Sequence, residues 1–235
     1  MEYTVHVRMN ERLFLRDPEG SELGRRIVRH AILLFDEIGF EDATFRKLAD
    51  RMGTKEASIY RYFENKHRLL VYLIAWYWQW IDFQLVFRTN NLVDPHEKLD
   101  RLLNLLLLND LDESLTDDID LKRLHSIVIR EASKAYLTRH VTEDNRQQLF
   151  KPYKDLCARI AGIILNLRPE YPYARSLAST LIETAHYQTF FMQNLPSLTD
   201  FGPSPADQQA HPDKLLDFVR HLLYSPLDTP VIVQT

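Results

Sequence analysis

Apolar residues recur at helical spacing at Ile27, Ala31, Leu34 and Phe35, and Gly39 closes the run. Thr44 then offers an N-cap hydroxyl to a second helix that carries Leu48 and Met52, and Gly53 ends it with a residue free to take positive φ. One turn later, residues 55–62 form a third helix too short to be stable alone in water. Ile59 and Phe63 anchor it, which leaves Ala57 and Arg61 facing away and Ser58 and Tyr60 at the sides. Two helices joined by a tight turn, the second short with a small polar outer face, predict a helix-turn-helix. Such a face suits a DNA major groove, where side chains must reach base edges.

The later pattern is helical as well. A fourth helix over residues 66–87 carries Trp76, Tyr77, Trp78, Trp80, Phe83 and Phe87 around more than one face. Asp94-Pro95 opens a helix to about residue 109, Asp118 another to about 137, and a third pattern covers residues 142–167, bent or split at Pro152. Pro172 opens the next, to about residue 195, residues 196–212 form a Pro- and Ser-rich loop, and residues 212–224 form the last helix. The prediction is an all-α fold of about nine helices. A three-helix DNA-binding domain over residues 21–70 precedes a helical bundle over 71–235. Residues 1–20 are an N-terminal extension: Tyr3, Val5, Val7 and Met9 alternate with polar residues, and Leu13 to Leu15 return beside them, the pattern of a β-hairpin looped at residues 10–12.

Composition narrows the reading. Six glycines in 235 residues argue against a turn-rich β protein. Residues 1–70 hold 13 Lys and Arg against 12 Asp and Glu, within a chain of net charge −4, so DNA affinity must rest on local placement of charge. The single cysteine, Cys157, excludes an internal disulfide and a Cys-rich zinc site and fits a reducing compartment. No secretory signal opens the chain, and the longest apolar stretch, residues 69–81, is too short to span a bilayer; a cytoplasmic location is expected.

Residues 39–70, from Gly39-Phe40 through Thr44, Leu48-Ala49, Gly53, Ser58-Ile59-Tyr60, Phe63 and Lys66 to Leu69-Leu70, resemble the DNA-binding domain of the TetR family. Lys55 stands where the family often has a capping serine, and Ala57 replaces a common glycine. The resemblance implies a homodimeric transcriptional regulator, most commonly a repressor released from a palindromic operator by a small, largely apolar or aromatic ligand. Arg46 matches a position from which a relative's arginine reads guanine, the commonest specific contact. Ala57, Ser58 and Tyr60 can meet thymine methyls or nearby base atoms, and Glu56 can accept from a cytosine amino group. Thr44, Lys47, Arg61, Tyr62 and above all Lys66 are placed for phosphates, and Lys55 also belongs to the DNA-binding set.

Beyond residue 75 the resemblance implies architecture alone. The ligand-pocket candidates are Trp76, Trp80, Phe83, Leu103, His125, Cys157, Glu183, His186 and Tyr187, although plain core packing explains any single aromatic better. The stripes Leu177, Leu181, Ala185, Gln188 and Met192, and Leu215, Val219 and Leu222, are the candidate dimer interface, and such stripes serve equally as core. Glu183-x-x-His186 has a di-metal spacing, but its only counterpart, Glu64-x-x-His67, straddles a helix cap, so neither a metal nor a cofactor is expected. No phosphate loop or nucleophile elbow supports an enzyme. An enzyme using the C-terminal cavity and a helical protein-binding adaptor remain the alternatives.

Overall fold

The structure is a computed structural model that describes residues 9–108, 119–203, 207 and 209–228. Among them are ten α-helices: α1 (Glu22–Asp42), α2 (Phe45–Met52), α3 (Glu56–Tyr60), α4 (Lys66–Thr89), α5 (Pro95–Leu106), α6 (Leu121–Tyr136), α7 (Val141–Arg146), α8 (Lys151–Leu167), α9 (Ala174–Asn194) and α10 (Pro212–Asp228). The tenth arises because the pattern over residues 142–167 is two helices. Gln148 adopts φ +60° and ends α7, and Pro152 then sits in the first turn of α8, where a missing N–H costs nothing.

The hairpin does not form among the described residues. Its first strand falls on residues outside them, and its loop is a 3₁₀ turn, Glu11–Leu13, capped by the Asn10 side chain, which accepts from Arg12 N–H. Leu13 is buried, and the N–H of Leu15 goes to the Tyr62 carbonyl at 2.7 Å, so the segment is committed to the helix-turn-helix and not to a strand partner.

Contacts divide the chain into two compact units, Met1–Trp80 with Asp112–Tyr153 and Ile81–Leu111 with Lys154–Thr235. This division by packing falls inside α4 and not at residues 20 and 70. In the first unit α1 lies along α6, clamped by Asp36, which accepts from Arg130 at 2.7 Å and Arg123 at 3.2 Å. Every residue from Leu69 to Trp78 is buried, which explains why α4 shows aromatics on several faces: a helix covered all round needs no polar side. In the second unit α5, α9 and α10 pack on one another, and Arg220 of α10 reaches Asp100 of α5 at 3.2 Å. Arg159 of α8 pairs through two nitrogens with Asp82 of α4 in the same unit. No helix of the described residues is long and apolar enough to cross a membrane.

Candidate nucleic-acid interface

Local chemistry builds the helix-turn-helix. Thr44 Oγ1 accepts from Lys47 N–H at 3.2 Å, which fixes the start of α2, and Gly53 at φ +64° turns the chain out of it. Lys55 gives α3 no side-chain cap, so this five-residue helix depends on its anchors: Ile59 and Phe63 are fully buried, and the N–H groups of Tyr62 and Phe63 both return to the Ile59 carbonyl. Arg46, Lys47, Lys55, Ala57, Tyr60 and Arg61 stay exposed, with Glu56 and Ser58 half-buried between them. Tyr60 leans edge-on against Phe45, their centroids 4.9 Å apart, so its hydroxyl is presented by a braced ring. Arg46, Lys55 and Arg61 form no ion pair among the described residues, and their charges are available to an anionic partner.

Two expected phosphate contacts have other work. Tyr62 is buried, and its hydroxyl shares a 2.7 Å hydrogen bond with Ser21. Lys66 Nζ donates to the carbonyls of Phe40, Glu41 and Ala43 at 2.9, 2.8 and 3.1 Å and lies over the Phe40 ring. An ammonium has three N–H bonds, and all three are spent on the C-terminal end of α1. Lys47 Nζ reaches the Asp42 carbonyl at 2.8 Å and keeps two hydrogens, while Thr44, having accepted one bond, still has its own proton to donate.

The other cations of this domain position it. Arg26 donates to the Met52 carbonyl, Arg51 pairs with Glu37, and Arg68 meets the buried carboxylate of Asp144 at 3.0 Å. Sequence reasoning missed Glu131. Gly39 breaks α1 at φ +76°, and the freed N–H of Phe40 is taken by Glu131 Oε1 of α6 at 3.1 Å. Lys134 neutralises the other oxygen at 2.8 Å. No local signal marked it: residues 127–135 also carry Arg130, Ser133 and Lys134, and the N–H it accepts from lies 91 residues away.

The remaining candidates scatter. In the first unit, Trp76 and Trp80 are buried and His125 Nδ1 shares a 2.7 Å bond with the Tyr77 hydroxyl. A cavity of about 10 Å³ in that unit is lined instead by Val71, Ala75, Trp78, Tyr136, Phe150 and Tyr153 among others, and the Trp78 indole donates to the Tyr136 hydroxyl at 2.8 Å. In the second unit Leu103 and His186 are buried, Phe83 stacks on Phe87, and Cys157 is partly exposed. Glu183 and Tyr187 belong to the outer face of α9, where with Thr180, Thr184, Gln188 and Phe191 they line an open groove of about 480 Å³. His186, one turn from Glu183, points inward, and no group of His, Cys, Asp and Glu suited to a metal occurs among the described residues. Of the dimer stripes, Leu177, Leu181, Ala185, Leu215 and Val219 are already covered within one chain, whereas Gln188, Met192 and Leu222 are partly open.

Residues 27–73 match the family model described as bacterial regulatory proteins, tetR family. The tetracycline repressor protein class A of Escherichia coli is 41% identical over 44 residues, a match that spans 19% of this chain and 20% of that protein's length. The fatty acid degradation regulator FadR from Bacillus halodurans has a similar fold, with TM-score 0.56 at 17% identity over 86% of this chain and 93% of that one. AibR, in complex with isovaleryl coenzyme A and operator DNA, is similar with TM-score 0.59 at 14% identity over 86% and 99% of the two chains.

Proposed function

Because the chain belongs, through its helix-turn-helix, to the TetR family of bacterial regulatory proteins, we propose that it is a cytoplasmic, homodimeric transcriptional repressor. It binds a palindromic operator and leaves it when a small, largely apolar ligand occupies the helical bundle. The observation that carries this reading is the helix-turn-helix surface itself: a short α3 with Ile59 and Phe63 buried behind it, and Arg46, Lys55, Ala57, Tyr60 and Arg61 exposed on it, the three cations without a carboxylate partner among the described residues.

Arg46 reads a guanine; Arg61, Lys47 and Thr44 hold phosphates. One short helix reads only a few base pairs, so two copies related by a two-fold axis are needed for a unique site. The mating surface is the outer face of α9, where Thr180, Thr184, Tyr187 and Phe191 stand away from the covered stripe. The ligand site is the cavity beside Trp78, Tyr136 and Tyr153, whose aromatic lining favours an apolar or aromatic molecule. A fold neighbour described with both operator DNA and an acyl-coenzyme A is consistent with such a pairing of functions. The protein thus acts by binding and by no reaction of its own.

Selection of bound duplexes from a random DNA pool, followed by titration of the best against scrambled DNA at fixed salt, tests this. Enrichment of a palindrome bound by two chains is the expected result. A folded dimer that enriches no sequence would overturn it in favour of a protein-binding adaptor.

A further inference from the structure

The segment before α1 is fastened along its length, first to the end of α7 and then to the helix-turn-helix. Asn10 Nδ2 donates to the Gln147 carbonyl at 2.9 Å, Leu13 is buried, and Leu15 N–H bonds the Tyr62 carbonyl at 2.7 Å. Pro18 is buried against Gly24, where an added Cβ would stand 2.2 Å from the Pro18 carbonyl oxygen, so only glycine permits the contact. Ser21 Oγ caps α1 and shares its bond with the Tyr62 hydroxyl. The chain from Asn10 to Ser21 is therefore a built part of the domain, ending where α3 ends.

Between the anchors at Leu15 and Pro18 lies Arg16. It is exposed, its guanidinium carbon is 5.4 Å from the centre of the Tyr62 ring, and it forms no ion pair among the described residues. The residue that precedes Tyr62 is Arg61, equally exposed and equally without an ion pair. The Leu15–Tyr62 backbone bond thus brings two uncompensated cations to one end of the recognition helix. A guanidinium held over a ring face can still donate from its N–H edge, the geometry in which it bonds two oxygens of one phosphate.

We propose that the N-terminal segment is a second DNA-contacting element, in which Arg16 binds a backbone phosphate beside those held by Arg61 and so fixes the register of α3 in the groove. This rests on the regulator reading above. The contact is to the DNA backbone, so it adds affinity without preference among bases.

The test measures affinity for the selected duplex across a salt series for the full chain and for Arg16→Ala, Arg16→Lys and Arg101→Ala, the last an exposed arginine on α5 that serves as control. Each phosphate contact contributes about 0.9 to the slope of log K against log salt, so losing one per protomer should flatten it by about 1.8 in the Arg16→Ala dimer. Affinity should fall roughly tenfold per lost contact near 0.1 M salt, equally on every base variant of the duplex. Arg16→Lys should keep the slope, and Arg101→Ala should change nothing. An unchanged slope in Arg16→Ala, even with weaker binding, would overturn the proposal and make Arg16 a brace for Tyr62. If the unaltered protein binds no duplex, the regulator reading fails, and this proposal fails with it.

Discussion

Lys66 shows how one ammonium changes meaning between sequence and structure. In sequence it is a cation after an Asn cap, well placed for phosphate; in the fold its three protons close the end of α1. Lys66→Ala should therefore lower stability by about 1 to 2 kcal/mol, seen in urea melts, and leave the salt slope of DNA binding nearly intact. Arg46→Ala should do the reverse, with an unchanged melt and a loss of about 1 to 3 kcal/mol of discrimination at one base position. Equal effects of the two variants on base discrimination would contradict this division. Such reassignment was beyond sequence reasoning, because the carbonyls that capture Lys66 lie more than twenty residues away and appear only once Gly39 breaks α1. His186, a pocket candidate in the sequence, is buried. Burial pulls its pKa from 6.5 to about 4. The unfolded chain then binds the proton that the folded chain refuses, so stability should be full above pH 6.5 and fall toward pH 4. The loss is about 3 kcal/mol at most. His186→Leu should flatten that part of the pH profile; an unaltered profile would assign it to other groups.

Among the elements, those set by local chemistry were readable: Thr44 and Gly53 bracket α2 as their side-chain chemistry requires, and the anchors of α3 are Ile59 and Phe63. Those set by distant partners were not. The alternation at the N-terminus suggested a hairpin, but Leu13 is buried in a 3₁₀ turn and the Leu15 N–H goes to the Tyr62 carbonyl, 47 residues further on. The break between α7 and α8 depends on a left-handed Gln148, a conformation that a glutamine does not advertise. The link from α6 to α1 through Glu131 rests on one buried carboxylate. Glu131→Ala leaves the Phe40 N–H and the Lys134 ammonium without it and should cost about 1 to 3 kcal/mol. Glu131→Gln, which can still accept from Phe40, should recover much of that in thermal melts, and equal losses from both would assign the effect to charge alone.

For the molecule as a whole, five residues readable as a dimer stripe, Leu177, Leu181, Ala185, Leu215 and Val219, are covered within one chain, since hydrophobic periodicity marks what is covered and not what covers it. The outer face of α9 carries Tyr187 and Phe191 in contact, 6.2 Å between centroids. Tyr187→Asp together with Phe191→Asp should convert a dimer into a 27.8 kDa monomer in sedimentation, with helicity kept and operator affinity lost. A mass that stays doubled would place the interface elsewhere. The cavity beside Trp78 carries a different consequence. At about 10 Å³ it has room for about one water, less than any effector needs. An effector that enters there must bind a minority conformer in which the rings have parted, and its apparent dissociation constant is the intrinsic one divided by that conformer's population. A population of about one in a thousand would hide three decades of affinity. How much effector this protein needs would then be set by how tightly Trp78, Tyr136 and Tyr153 hold each other, as much as by how well the molecule fits between them.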